Sequence, residues 1–191
     1  MLVYQVVVTT PPASEPVSLA EAKLHLRVDD SAEDALITRL ISAARIQCEQ
    51  MAGRAFITRT LTAMLDEWPA DGLIELPYPP VISVASIIYT DQAGAPTTWP
   101  ASNYQVDATS TPGRIGLAYN KRWPTATLRP LAPIAVQYTA GYGVAAAVPE
   151  PYKQGMLLLI GHWYENREAV LERQTYPVGA MALFTLDKGM F

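Results

Sequence analysis

The side chains able to do chemistry are few, and their spacing serves none of the common mechanisms. Histidine occurs only as His25 and His162, each inside a helical pattern and neither at ligand spacing from a cysteine or carboxylate. No Gly-x-Ser-x-Gly elbow accompanies them, so a Ser-His-Asp set has no motif behind it. The single cysteine, Cys48, falls on an apolar helical face and reads as core filler. One cysteine also excludes an intrachain disulfide framework and any multi-cysteine zinc or iron–sulfur site. Asp66, Glu67, Asp71 and Glu75 could in principle supply a carboxylate pair for glycoside hydrolysis. They crowd around one Pro/Gly turn, however, and read as a solvated loop. The acidic run Asp29-Asp-Ser-Ala-Glu-Asp34 lacks the glycine that a calcium loop requires, and it stands where a helix N-terminus favours negative charge. No phosphate-cradling glycine motif is present, and Gly141-Tyr-Gly143 ends a strand as a turn. The expectation is a protein without catalytic, cofactor-binding or metal-binding residues.

The elements that would position these groups follow from proline. Of 16 prolines, ten lie between Pro69 and Pro133, whereas none occurs from Val17 to Trp68 or from Tyr152 to Tyr176. Proline breaks helix interiors and is tolerated in turns and on sheet edges, so the order is helix, turn-rich β region, helix. Ser18-Leu-Ala-Glu21 is a capping box opening a helix that runs to about Arg27. The acidic run restarts the chain, with Asp30 and Glu33, or Ser31 and Asp34, at capping spacing. Leu36, Ile37, Leu40, Ile41, Ala44, Cys48 and Met51 then mark one buried face of a second helix, which Gly53 stops.

From Ile57 the hydrophobic period becomes two. Leu61, Ala63 and Leu65 face one way and Thr58, Thr60 and Thr62 the other. Ile82, Val84 and Ile88 alternate with Ser83, Ala85, Ile87 and Tyr89 before a turn at Asp91-Gln-Ala-Gly94. Shorter alternations follow at Tyr104/Val106, Ile115/Leu117/Tyr119 and Ile134/Val136/Tyr138. With a short first strand in the apolar opening residues, these predict an antiparallel sheet or small sandwich of five or six strands in the β region. Pro149, Glu150 and Pro151 begin the last helix, whose core face is Tyr152, Met156, Leu159, Ile160 and Trp163. The fold class is therefore α+β: a small helical core of two N-terminal helices and one C-terminal helix, an inserted antiparallel sheet, and a C-terminal tail. The expected layout is one domain over 1–191, with a helical core at 13–56, a β insertion at 57–147, a core helix at 148–172 and a tail at 173–191.

The chain of 191 residues is 50% hydrophobic and 17% charged, with a net charge of −4, which excludes wholesale disorder and a generally basic nucleic-acid coat. No stretch approaches the ~20 apolar residues that span a bilayer, and no signal peptide or membrane association is expected. The charge is unevenly placed. Residues 57–107 carry a balance of −5 and residues 108–149 a balance of +4, the latter from Arg114, Lys121, Arg122 and Arg129. Such a split suits either complementary subunit faces or a basic surface near nucleic acid.

Val17-Ser-Leu-Ala-Glu-Ala-Lys-Leu-His-Leu-Arg-Val28, the acidic cap with Ala35-Leu-Ile, Ala140-Gly-Tyr-Gly143, Val148-Pro-Glu-Pro151 and Gly161-His-Trp-Tyr-Glu-Asn-Arg-Glu168 occur in that order. Together these motifs resemble the head–tail connector (adaptor, or head-completion) proteins of tailed bacteriophages and gene transfer agents, over residues 11 to 191. The resemblance implies a structural virion protein at the head–tail junction, assembled in the host bacterial cytoplasm. It implies a homo-oligomeric ring, commonly of twelve subunits, seated beneath the portal protein. Such a ring extends the DNA channel and presents a surface to the next connector or tail protein, with non-specific proximity to packaged DNA. No cofactor is implied.

The tail at 173–191 is apolar and has no clear periodicity, and Pro177 and Gly179 prevent a simple continuation of the helix. Its apolar groups must cover either the protein's own core or a neighbouring molecule. The resemblance favours the portal, which makes Tyr176, Met181, Leu183, Phe184, Leu186 and Phe191 candidate docking residues. The competing expectation is a β-sandwich module that binds carbohydrate or a receptor on a virion or secreted particle. It requires an aromatic-lined groove built from Trp68, Trp99 and Trp123.

Overall fold

The computed structural model describes residues 5–167, together with Gly179 and Leu183. The chain divides into two compact units: residues up to 13 with 58–141, and residues 14–57 with those from 142 onward. The first is a sheet unit and the second a helical unit, and the fold is α+β as its patterning indicates.

In the helical unit, α1 (Leu19–Leu26) carries the expected capping box. Ser18 Oγ accepts from the Glu21 N–H at 3.2 Å, and Glu21 Oε2 accepts from the Ser18 N–H at 2.7 Å. Arg27, in the left-handed region at φ 58°, ends the helix. α2 (Asp34–Ala52) stops at Gly53, whose φ of 66° is accessible to glycine without strain. Its start differs from expectation. No side chain caps it, because the acidic groups are engaged elsewhere. Asp30 accepts from the Ala32 N–H, and Asp34 pairs with Lys23 at 2.7 Å. α3 (Glu150–Glu165) has Pro151 in its first turn, where a missing N–H costs nothing.

Ile37, Ile41, Ala44 and Cys48 of α2 pack with Tyr152, Met156, Leu159 and Ile160 of α3 in one core, joined by Val17, Ala22 and Phe56. The Phe56 and Tyr152 rings stack at 4.8 Å. Leu40, Met51 and Trp163, which the periodicity assigns to the buried face, are only partly buried at its margin. Two positions on α2 break the apolar pattern: Arg45 and Glu49 are buried. Arg45 Nε donates to Glu15 at 2.7 Å and its Nη1 to Glu49 at 3.0 Å, while Glu49 Oε1 accepts the Phe56 N–H at 2.8 Å.

The described residues of the sheet unit form eight strands: β1 (Gln5–Thr10), β2 (Arg59–Leu65), β3 (Leu73–Leu76), β4 (Val81–Thr90), β5 (Pro96–Trp99), β6 (Tyr104–Asp107), β7 (Gly113–Leu117) and β8 (Ile134–Ala140). They form a five-stranded sheet in the order β1-β2-β8-β4-β5 and a three-stranded sheet in the order β3-β7-β6. Every pairing between these strands is antiparallel. The sequence patterning does not mark β3 and β5, each of four residues.

β2 and β8 alternate buried and half-buried residues along their whole length, as the period of two requires. β4 does not. Register shifts between Val81 and Ser83 and between Val84 and Ser86 break its phase, so Val81 and Ile87 are buried while Ile82 is exposed. Bulges of this kind bend a strand and move side chains to the opposite face. Close packing fixes Gly113 on β7, since a Cβ there would come within 2.7 Å of Val81 Cγ2. Among the described residues no helix is long and apolar enough to cross a membrane.

Candidate functional site

The basic segment that stands out in the sequence occupies β7 and the connection from β7 to β8. Its four cations have different fates. Arg114 lies directly opposite Asp107 on the neighbouring strand β6. Its Nη2 contacts Asp107 Oδ2 at 2.8 Å and Ser110 Oγ at 2.9 Å. Asp107 also accepts from the Thr109 N–H and hydroxyl and from the Ser110 N–H. The Ser110 hydroxyl foremost, then Arg114 and Thr109, hold the Asp107 carboxyl well below the usual carboxylate range. Arg129 donates through Nη2 to the Ala132 carbonyl at 2.6 Å. Lys121 and Arg122 are exposed and make no ion pair among the described residues.

The connection carrying them is pinned along its length. The Trp123 indole N–H donates to the Pro69 carbonyl at 2.9 Å, the Gln92 N–H to the Thr127 carbonyl at 2.9 Å and the Arg129 N–H to the Thr90 carbonyl at 3.2 Å. The Ala132 N–H reaches Asp66 Oδ1 at 2.8 Å. The acidic turn and the basic connection are thus neighbours within one unit, although the sequence separates them. Tyr119, whose place in a strand the alternation suggests, lies just beyond β7 and is 89% exposed. Tyr119, Lys121 and Arg122 are exposed at the start of this connection, where the Lys121 N–H donates to the Ala118 carbonyl at 3.0 Å.

The three tryptophans come together. Trp68 stacks on Trp123 at 4.9 Å, Trp99 tilts against Trp123 at 5.0 Å and against Trp68 at 5.6 Å, and Tyr104 stacks on Trp99 at 5.4 Å. Trp99 is buried and the other three rings are half-buried, so they form a packed aromatic cluster whose contacts are worth about 0.5–1.5 kcal/mol per pair beyond area burial. They do not stand apart along a groove as a saccharide platform would.

Cys48 is fully buried, and burial pushes its thiol up, away from the reactive thiolate. Asp66, Glu67 and Asp71 are exposed around their turn, whereas Glu75, also exposed, lies not in the expected loop but on strand β3 opposite Arg114. Among the described residues no group of three or more His, Cys, Asp or Glu is arranged to hold a metal. Of the tail candidates, Tyr176, Met181, Phe184, Leu186 and Phe191 lie outside the described residues. Leu183 is half-buried, and both it and Gly179 have helical backbone where the sequence shows no helical period.

Pairwise spacing did not reveal one cluster. Glu33, in the acidic run, accepts a hydrogen bond from the Tyr164 hydroxyl and contacts Arg167 Nη2 at 2.6 Å. The Arg167 guanidinium carbon also lies 4.7 Å from the centre of the Tyr164 ring. The Tyr164 hydrogen bond, followed by Arg167, lowers the Glu33 pKa. Two of the motifs that carry the family resemblance therefore meet in space. Their residues hold the end of α3 to the start of α2, which is a fold-defining role.

The family described as Phage gp6-like head-tail connector protein matches residues 16–109. Among solved structures, the chain is similar to one described as the neck of an empty GTA particle computed with C6 symmetry. Identity is 27% and the TM-score 0.76, over 94% of this chain and 93% of that one. It is similar to a chain in the virion of a native gene transfer agent particle, at 26% identity and TM-score 0.78, over 94% of this chain and 93% of that one. A third, from the neck of a native GTA particle computed with C12 symmetry, gives 26% identity and TM-score 0.70 over 96% and 92% of the two chains. No curated protein matches the sequence. The chain resembles the head–tail connector proteins of phages and gene transfer agents, and these matches support a structural connector role in a virion.

Proposed function

We propose that this chain is the adaptor-ring subunit that joins the portal of a DNA-filled capsid to the next connector or tail protein, extending the DNA channel between them. The observation that carries this reading is similarity along nearly the whole chain, both units included, to chains in gene-transfer-agent necks. Partial similarity confined to the helical unit would have supported only a shared bundle. The C12 and C6 symmetries of those necks favour a homo-oligomeric ring for this chain, twelve subunits being the natural number. The ring sits at the head–tail junction of a virion assembled in a bacterial cytoplasm, and its role is structural rather than enzymatic. Residues 14–57 and 142–167 supply the helical body and 58–141 the inserted sheet. Residues 173–191 are the portal-docking segment through Tyr176, Met181, Leu183, Phe184, Leu186 and Phe191. An apolar segment seated on a partner grips a large area there.

The test uses purified chain and DNA-filled, portal-bearing heads, followed by sedimentation and electron microscopy of the head vertex. The full chain co-sediments and adds a ring at one vertex. Deleting 174–191 abolishes attachment and leaves the melting temperature within a degree or so, as expected for a surface segment. A full chain that ignores portal-bearing heads overturns the reading. A truncated chain that still docks removes the tail from it.

A further inference from the structure

The two sheets leave four open edges: β1 and β5 on the five-stranded sheet, β3 and β6 on the three-stranded one. An open edge is a row of unpaired N–H and C=O groups, and proteins blunt such rows with charge, proline or brevity. The three-stranded sheet is blunted on both sides. β3 and β6 are four residues each and carry Glu75 and Asp107. The edges of the five-stranded sheet differ in carrying no charge, although β1 has a register shift between Val8 and Thr10 and β5 is itself only four residues long. β1, with the sequence Gln-Val-Val-Val-Thr-Thr, has six residues, no charge and no proline. Val7 and Val8, which point to opposite faces, are 46% and 49% exposed. β5, with the sequence Pro-Thr-Thr-Trp, is also free of charge, and its proline stands at the first position, where the rest of the edge can still pair. Thr97 and Thr98 are exposed. No backbone hydrogen bond from elsewhere in the described chain reaches the outer side of either strand.

We infer that β1 of one copy adds to β5 of the next copy, so that the five-stranded sheet continues from subunit to subunit. This rests on the ring reading above. A closed ring of more than two subunits needs a heterologous contact, in which two different patches of the same molecule meet. The two uncharged edges are opposite ends of one sheet, so pairing them is head-to-tail and repeats without limit until the ring closes. Pairing β1 with β3 or β6 would bring Glu75 or Asp107 against an apolar strand. Pairing β1 with itself about a two-fold axis gives a dimer that cannot grow. Strand addition supplies partners for the exposed backbone groups and covers Val7 and Val8, with backbone hydrogen bonds setting affinity.

Cysteines introduced at Val7 and Thr98 test the contact in rings assembled on portal-bearing heads, using a short bis-maleimide. The native Cys48 is fully buried and does not react. The doubly substituted chain gives a ladder of covalent oligomers, and neither single variant links to itself. A covalent dimer from Val7→Cys alone, or a link from it to a different virion protein, overturns the inference by naming another occupant of the edge. Rings visible on the heads without a ladder also overturn it while leaving the ring reading intact. Absence of the unsubstituted chain from the heads overturns both. A second variant guards against distortion by the cysteines: Val7→Lys with Val8→Lys charges the edge on both exposed side chains. It should lower ring occupancy at least about tenfold with an unchanged melting temperature. Normal occupancy overturns the inference.

Discussion

The helical unit sets a buried ion cluster beside its stacked Phe56 and Tyr152 rings, whereas the sheet unit gathers three indoles and a tyrosine into one cluster. Arg45 and Glu49 are 8% and 4% exposed on α2, bound to each other and to Glu15 and the Phe56 N–H. In the sheet unit Trp68, Trp99, Trp123 and Tyr104 pack on one another, with one indole hydrogen bond to Pro69. The two devices differ in what they specify. A buried ion cluster is directional, and it is favourable only when each member has its partners. It ties the segment before α1, through Glu15, and the segment after α2, through Phe56, to one face of α2. Aromatic contacts prefer offset or edge-on geometries, but most of their worth comes from buried area. Charge here fixes where the chain enters and leaves, while the rings fill space.

The largest effects should come from breaking either device. Glu49→Ala leaves Arg45 short of one carboxylate and the Phe56 N–H without that acceptor, and should cost about 3–5 kcal/mol. Trp99→Ala in the sheet unit should cost a similar ~3–5 kcal/mol through cavity formation. The contrast appears in the conservative variants. Trp99→Phe should recover much of the loss, whereas Glu49→Asp, too short to serve both Arg45 and Phe56, should recover little. Urea unfolding followed by helical circular dichroism and tryptophan fluorescence reads both. Equal rescue in the two units would erase the distinction.

Next in size are the apolar positions of the helical core. Ile160 is fully buried, and Ile160→Ala should cost about 2–5 kcal/mol. Leu40, equally prominent in the sequence pattern, sits at the margin and should cost clearly less. Matching midpoint shifts would mean that the edge of this core is as tightly packed as its centre.

A smaller effect belongs to the Asp107 cluster, an ion pair on the surface of the sheet unit. The folded carboxyl titrates below its unfolded value, so its contribution to stability is full above about pH 4 and is lost as pH falls through the folded pKa. Asp107→Asn should melt below the native chain at neutral pH, and the gap should narrow as the solution is acidified. A gap that widens in acid would reverse the assignment. Smallest for stability, at zero within error, is reversal of Lys121 and Arg122 to Glu, since both are exposed. If they serve assembly or the DNA channel as proposed, ring formation or DNA retention changes while the melting temperature does not.

The sequence by itself determined the local elements, because local physics sets them. Ser18 and Glu21 cap α1, Gly53 stops α2, the proline map separates helix from sheet, and the period of two marks β2 and β8. The family resemblance was also legible, through motifs that need no coordinates. Tertiary structure decided what depends on partners distant in the chain. Arg45 and Glu49 read as ordinary polar positions until Glu15, 30 residues before Arg45, and the Phe56 N–H, seven residues beyond Glu49, are seen to satisfy them. Glu33 reads as a helix cap until Tyr164 and Arg167, more than 130 residues away, claim its carboxylate. The alternation in β4 was misleading because its two register shifts are set by its pairing with β8. Three tryptophans spaced across 56 residues became one cluster only through the pairing of strands. Capping and periodicity act within a few residues and leave a signature there. Burial of a charge, a bulge or an aromatic contact is set by groups that only the folded chain brings within reach.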